Sequence, residues 1–363
     1  MSIKKEYVSP KEYHRILQLF REQEEKEKKR QSLFGKTKQI IYTEAKDFKF
    51  VFIGSRIYYS KEWNTFPDFL ISYIWDVLGA DWAKNEIQKP LEDRHQILKW
   101  YDGFLNFSKQ QSKGSDGLIK ARLNGVSAAF FLLAYDLYIL RHHSSLQEYV
   151  VRRLKDSNQF QGARYELFVT AACIRAGFDI VFEEERKGGR RYVEFIAAHK
   201  ETGQRIAVEA KSKHRRGVLG VEGEKIPEEK IRLGSIIKLI NQAVSKEPSF
   251  PLVVFVDVNL PPSYVNQVLD KYFIKKFPKL FKNVIKSDNG KDLFNLIILS
   301  NHPHHYGRDD EPNPEDIYSL VISQNPNFKL DHPKSLNDLI AGTLQYGNIP
   351  NEFPSNDNPL EEL

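Results

Sequence analysis

Cysteine is nearly missing from this chain. Cys173 is the one thiol in 363 residues, so no intrachain disulfide can form and a reducing compartment fits. Long apolar runs are lacking too. The longest, Val126 to Leu140, carries Asp136 and is too short to span a bilayer, so it reads as a buried helix. The opening residues, Met1 to Tyr7, lead into charge without an apolar h-region, and no secretory signal is visible. These absences together predict a cytoplasmic protein with no membrane partner. Glycine-rich phosphate loops of the Walker or dinucleotide kind are also absent, which argues against an NTPase or a Rossmann oxidoreductase. No internal repeat occurs.

What is present begins with size. A chain of 363 residues is long for one core, so two domains are the prior. Hydrophobic content of 41% with 28% charged residues is ordinary for a globular protein. A net charge of +6 and a pI near 9.0 favour an anionic partner without proving one.

Periodicity divides the chain into three parts. Residues 1–155 read as a mainly helical N-terminal domain. Its helical patterns run from Pro10 to Gln31, Pro67 to Leu78, Asp93 to Phe107, Val126 to Leu140 and Leu146 to Lys155, with short strands at Phe48–Phe52 and Ile57–Tyr59. Residues 156–309 change texture. A helix is predicted over Asn158–Ala176, with Ser157 as N-cap and Gly177 as the C′ stop. Strands follow at Phe178–Glu184, Arg191–Ala198 and Gln204–Lys211, then a helix opened by Pro227, Glu228 and Glu229. An apolar strand at Pro251–Val258, a helix at Ser263–Phe277 and a strand at Asn295–Ser300 complete an αβββαβ order followed by αβ. Residues 310–363 read as a polar extension, with one helical segment near Ser335–Leu344 and a frayed end.

Three carboxylates stand out. Glu166 shares its helix face with Gly162, Ala163, Val169, Thr170 and Cys173. That stripe is small and has no Lys or Arg at i±3 or i±4, so it suits close packing around a polar site. On the hairpin, Val193, Phe195 and Ala197 alternate against Ile206, Val208 and Ala210. Pairing these apolar faces sets Phe195 opposite Val208 and Glu194 opposite Glu209, about 5 Å apart at Cβ. Two opposed carboxylates repel unless a cation lies between them, and no arginine is obviously available to neutralise them. Mg²⁺ suits oxygen ligands of this kind. Lys211, on the same face, is placed to stabilise charge on an attacking water or a phosphate. Such a site can hydrolyse a phosphodiester; the competing reading is a solvent-facing strand of mixed charge.

The segments Gly162–Leu167, Val193-Glu194-Phe195 and Val208-Glu209-Ala210-Lys211 resemble the PD-(D/E)XK nuclease superfamily, closest in its restriction-endonuclease-like and Mrr-like branches. The resemblance covers about Ser157 to Val258 and implies an α/β restriction-endonuclease-like core. It also implies catalytic roles for Glu166, Glu194, Glu209 and Lys211, with Mg²⁺ or Mn²⁺ held by Glu194, Glu209 and the Ala210 carbonyl. The chain departs from the family in placing Glu194 where Asp is usual. Of a Gln-xxx-Tyr pattern seen in some branches, only Gln242 is present, with Lys246 in the tyrosine's place, and Gln242 is left unassigned.

Lys213, Arg215 and Arg216 follow the site on a glycine-punctuated loop and are candidates for phosphate contact. Arg186, Lys187, Arg190 and Arg191 are weaker ones. His302, His304 and His305 have spacing that can bind zinc, but no Cys or HxxxH partner frames them and a surface loop is expected. Cys173 reads as a core thiol. The resulting expectation is a metal-dependent nuclease acting on nucleic acid, DNA favoured. Its N-terminal part would supply DNA binding, homodimerisation or partner specificity. The alternative is a catalytically inactive nuclease-like fold that binds nucleic acid or protein.

Overall fold

A computed structural model describes residues 10–144, 146–182, 193–225, 227, 230, 234–262, 281–308 and 315–354. The fold is mixed α/β. The N-terminal part contains α1 (Pro10–Phe34), a three-stranded antiparallel sheet β1 (Ile41–Ala45), β2 (Phe48–Ile53) and β3 (Arg56–Ser60), and then five helices. These are α2 (Phe66–Leu78), α3 (Ala80–Ile87), α4 (Gln96–Gln110), α5 (Gly125–His143) and α6 (Glu148–Lys155). Strand β1 and helix α3 were not anticipated. The apolar run does form a buried helix, since α5 exposes almost none of its nineteen residues.

The second part follows the order α7 (Phe160–Arg175), β4 (Phe178–Phe182), β5 (Phe195–His199), β6 (Arg205–Ser212), α8 (Gly234–Val244), β7 (Leu252–Asp257), β8 (Leu296–Asn301). The C-terminal residues add β9 (Ile317–Ile322), on the sheet edge, and α9 (Pro333–Leu344). The sheet runs β4-β5-β6-β7-β8-β9, with β6, β7 and β8 parallel and the other neighbours antiparallel. Strand β9 had been read as part of a polar extension, because prolines and asparagines dominate the residues before it. It is a half-covered edge strand, the kind with the weakest hydrophobic signature.

Local signals explain most boundaries. Gly177 takes a positive φ of 86° directly after α7, the expected stop. Ser157 does not cap α7, however: Gln159 occupies the N-cap without a side-chain bond. Helix α8 is described from Gly234, and most residues between Pro227 and Gly234 lie outside the described ones. The helix expected over 263–277, the first-turn acids 228 and 229, the basic residues 186, 187, 190 and 191, and the chain end from 355 lie outside the described residues.

Parallel β7, with all six residues buried, reads as an apolar run because both sheet faces are covered. Ala207, Val254 and Val256 meet Ile236, Ile240 and Val244 of α8 on one face. On the other, Ile206, Val208, Phe255 and Ile298 meet Phe168, Val169 and Ala172 of α7 and Leu339 of α9. Gly342 lets α9 approach closely, since a Cβ there would lie 2.7 Å from the Ala176 nitrogen. The outer side of α7 packs into the N-terminal helices through Phe160, Ala163, Leu167, Ala171 and Ile174.

Helix α7 is therefore enclosed on both sides, and it carries two arginines inward. Arg164 Nη1 lies 2.9 Å from Asp136 Oδ2 and Arg175 Nη2 lies 3.7 Å from Asp136 Oδ1, with all three side chains fully buried. The Tyr346 hydroxyl accepts from Arg164 at 2.6 Å and reaches Asp136 at 3.3 Å. Burial pushes the Asp136 carboxyl up while the two guanidiniums oppose that push. Removing one partner of such a buried group strands the others. Asp136→Ala should lower unfolding free energy by about 3–5 kcal/mol in urea denaturation, and Tyr346→Phe by about 1 kcal/mol. Equal, small losses for both would show that Asp136 does not hold this knot.

Candidate active site

Of the sixteen residues of α7, only Gly162 and Glu166 are not buried. They mark where this packed helix opens onto a polar site. Arg153, from the last turn of α6, grips Glu166 with both nitrogens, one bond of 2.7 Å joining Nη2 to Oε1. A Cβ on Gly162 would sit 3.7–3.9 Å from Arg153 Nη2, His214 Nε2 and Glu166 Oε1 together, so these three groups converge over the glycine.

The hairpin supplies the next two carboxylates. Phe195 pairs with Val208 and Ala197 with Ile206, the register expected from the apolar faces. The connection is even, with His199 N–H bonded to Gln204 O at 2.8 Å across four loop residues. The ladder ends at Phe195, and Glu194 N–H also donates to Val208 O at 3.1 Å. Two residues then face one, as in a β-bulge, which re-aims a side chain and thickens the local twist. Glu194 thus sits beside a bulge and not in square opposition to Glu209.

Glu209 is fully buried on the α8 face of β6. Lys211 Nζ lies 2.5 Å from its Oε1 and 3.9 Å from Glu194 Oε1. Lys246, just past α8, reaches Glu209 at 2.8 Å. Three carboxylates (Glu166, Glu194, Glu209) are matched by three cations (Arg153, Lys211, Lys246). The expectation that no arginine attends the acids is corrected: Arg153 comes from the neighbouring helix, where helical spacing around Glu166 cannot reveal it. Lys246 was noted only as a missing tyrosine, yet it belongs to the site, while Gln242 is exposed on α8.

The electrostatics are uneven. Burial, then repulsion from Glu166 and Glu209, pushes the Glu194 carboxyl up to about 7. Burial weakens the Lys211 ammonium, but the Glu209 carboxylate outweighs it and the net shift is upward. Arg153 is raised chiefly by its hydrogen bonds to Glu166. Among the described residues Glu194 has the most distant cation of the three acids, Lys211 at 3.9 Å.

The basic loop divides. Arg216 is exposed and Lys213 half-buried, both open to an anion. Arg215 is buried and donates to Asn259 O at 2.5 Å and Val258 O at 3.1 Å, so it fastens the loop to the end of β7 instead of facing a phosphate. Val218 and Leu219 bury the loop's middle. Cys173 is a buried core thiol, as read. The three histidines are a clear correction: His302, His304 and His305 are buried in a 3₁₀ turn after β8, not on a surface loop. Among the described residues, no helix is long and apolar enough to cross a membrane. Comparison with family models, curated proteins and solved structures returns no match.

The upward shift of Glu194 carries a stability consequence. Its proton is retained to about pH 7 in the fold but is lost near the ordinary value of 4.5 in the unfolded chain. The stability contributed by the protonated form is therefore complete below 4.5 and is lost as pH rises through 7. Glu194→Gln cannot ionise, so it should match wild type near pH 4.5 and exceed it by on the order of 3 kcal/mol above pH 7. Urea denaturation at both pH values measures this, and a pH-independent difference would refute the shift.

Proposed function

We propose that the chain is a divalent-metal-dependent nuclease with a restriction-endonuclease-like core, acting on DNA. One juxtaposition carries the reading. A helix glutamate, a glutamate at the head of the second strand and a Glu-Ala-Lys on the third gather at one end of a sheet built in the order α7-β4-β5-β6-α8-β7. The donors suit Mg²⁺ or Mn²⁺, which take carboxylate and carbonyl oxygens. Glu209 Oε1 is buried with ammonium charge close by but no aligned hydrogen bond, as befits an oxygen able to exchange one cation for another. Glu194, Glu209 and the Ala210 carbonyl would hold the ion, whose charge lowers the pKa of water and offsets that of phosphate.

The chain's own groups supply the rest. Lys211 bears a charge reinforced by Glu209 and stabilises negative charge developing on the phosphate oxygens. Arg153 fixes Glu166 at the edge of the site, and Glu194, near neutrality without metal, would release its proton on taking up the ion. Lys213 and Arg216 attract the nucleic-acid backbone. A second reading draws on a specific contact. With Lys246 on Glu209 and three cations balancing three acids, the site can be silent without metal, and the fold would then serve as a nucleic-acid or protein-binding module.

Plasmid and linear DNA, each incubated with Mg²⁺, Mn²⁺ or EDTA, separate the two readings. The nuclease reading expects metal-dependent cleavage that falls on the order of 10²–10³-fold in Glu209→Ala and Lys211→Ala, with circular dichroism unchanged. Removing Lys213 and Arg216 should weaken binding and flatten its salt dependence. Equal cleavage by wild type and Lys211→Ala, or no cleavage with either metal, defeats the enzyme reading. Calorimetry would then detect Mg²⁺ binding in Lys246→Ala but not in wild type if Lys246 silences the site.

A further inference from the structure

We propose that His302, His304 and Asp316 form a zinc site that clasps the end of β8 to the start of β9. Strand register is the first support. Asn301 pairs with Ile317 at the end of the antiparallel β8–β9 ladder, so one step further sets His302 across from Asp316. Pro303 then opens a 3₁₀ turn through Tyr306, which folds His304 back toward the same point. The ligand atoms of the three residues all lie within 4.8 Å of one another, the sole such cluster of three among the described residues. Glu166, Glu194 and Glu209 form no cluster this tight.

The second support is what these groups lack. His302 and His304 are 1% and 0% exposed, yet all four of their ring nitrogens are without a hydrogen-bond partner, as is Asp316 Oδ1. His302 Nδ1 lies 3.2 Å and His304 Nδ1 3.7 Å from Asp316 Oδ1. The shorter separation is within hydrogen-bond reach but is not aligned, and the longer lies beyond it. Leaving so many buried polar atoms unpaired costs roughly 1–3 kcal/mol each. A cation between them removes that cost at once. Zinc bonds of about 2.0–2.1 Å to nitrogen or oxygen give tetrahedral edges of roughly 3.3 Å, near both measured separations.

The donor set selects the ion. Two imidazoles disfavour Mg²⁺ and Ca²⁺, which prefer oxygen, and suit Zn²⁺. The surroundings select the role. Phe168 and Tyr346 stack edge-on against His302 with ring centres 4.5 and 5.2 Å away, and Tyr318 lies at 5.8 Å. This aromatic wall leaves no space for a polymeric substrate, so the ion is structural. It ties the sheet edge to α7 through Phe168. The buried, unpartnered Tyr318 hydroxyl or one water completes four-coordination. The inference shares no residue with the carboxylate site and does not depend on nuclease activity.

The test uses the full chain, dialysed against equimolar ZnCl₂ and analysed by plasma mass spectrometry. About one zinc per chain is expected, retained in Glu209→Gln and lost in both His304→Gln and Asp316→Asn. Chelation should lower the Tm of wild type and leave that of the two variants unchanged. Co²⁺ added to chelated wild type should give the visible bands of a four-coordinate ion. Zinc-free wild type, zinc kept by both variants, or zinc lost only in Glu209→Gln would overturn the site. If the variants fail to fold, the Co²⁺ spectrum of wild type decides, and absence of the bands overturns it.

Discussion

A negative charge sealed inside the protein governs how the rest is arranged. Asp136 interrupts a helix that is buried along nearly its whole length and cannot be solvated there. It is tolerable only because Arg164 and Arg175 from α7 and the Tyr346 hydroxyl surround it. That requirement locks the rotation of α7 against α5. Two residues beyond Arg164, on the side not used for packing, Glu166 then emerges toward the hairpin. Tyr346, just past α9, brings the C-terminal residues into the same knot. One buried acid thus ties together the N-terminal helices, the sheet layer and the C-terminal segment.

Downstream of that knot, the candidate site is a balanced ionic network more than a bare acidic pocket. Ammonium and guanidinium groups occupy Glu166 and Glu209, while the bulge at Glu194 holds its carboxyl near a burial-driven neutral pKa. A divalent ion would have to compete with Lys246 and draw a proton from Glu194. That competition makes metal affinity, on the proposed reading, more sensitive to pH and to Lys246 than a cluster of free carboxylates would be. The same contacts give the binding-module reading its force, because a lysine can stand where a metal would.

The legible parts of the site were those set by short-range periodicity. Glu209 and Lys211 lie on a strand whose apolar alternation admits one register, and a shift by one would expose Phe195 and Val208. The bulge at Glu194 was not legible: it turns Val193 to the α8 face instead of setting it across from Ala210. Glu166 was legible from the small residues around it. Arg153 and Lys246 were not. Each approaches from another element, and sequence spacing reports only neighbours on the same helix or strand. Arg215 misled for a related reason: a basic residue in a glycine-rich loop looks solvated until the loop folds over β7 and its guanidinium meets two carbonyls.

The sequence by itself determined the mixed α/β class, the αβββαβ order, the buried helix around Asp136 and the face of the sheet on which Glu209 and Lys211 lie. Each follows from hydrophobic periods of 3.6 or 2 and from local stops such as Gly177. Tertiary structure alone decided what neutralises the acids, where β9 joins, and that His302 and His304 are buried beside Asp316. In that last case the partners are separated by a connection whose prolines and polar residues read as a loop. Only the pairing of Asn301 with Ile317 reveals that the two ends meet. Contacts across elements depend on how whole faces pack, and no local pattern encodes them.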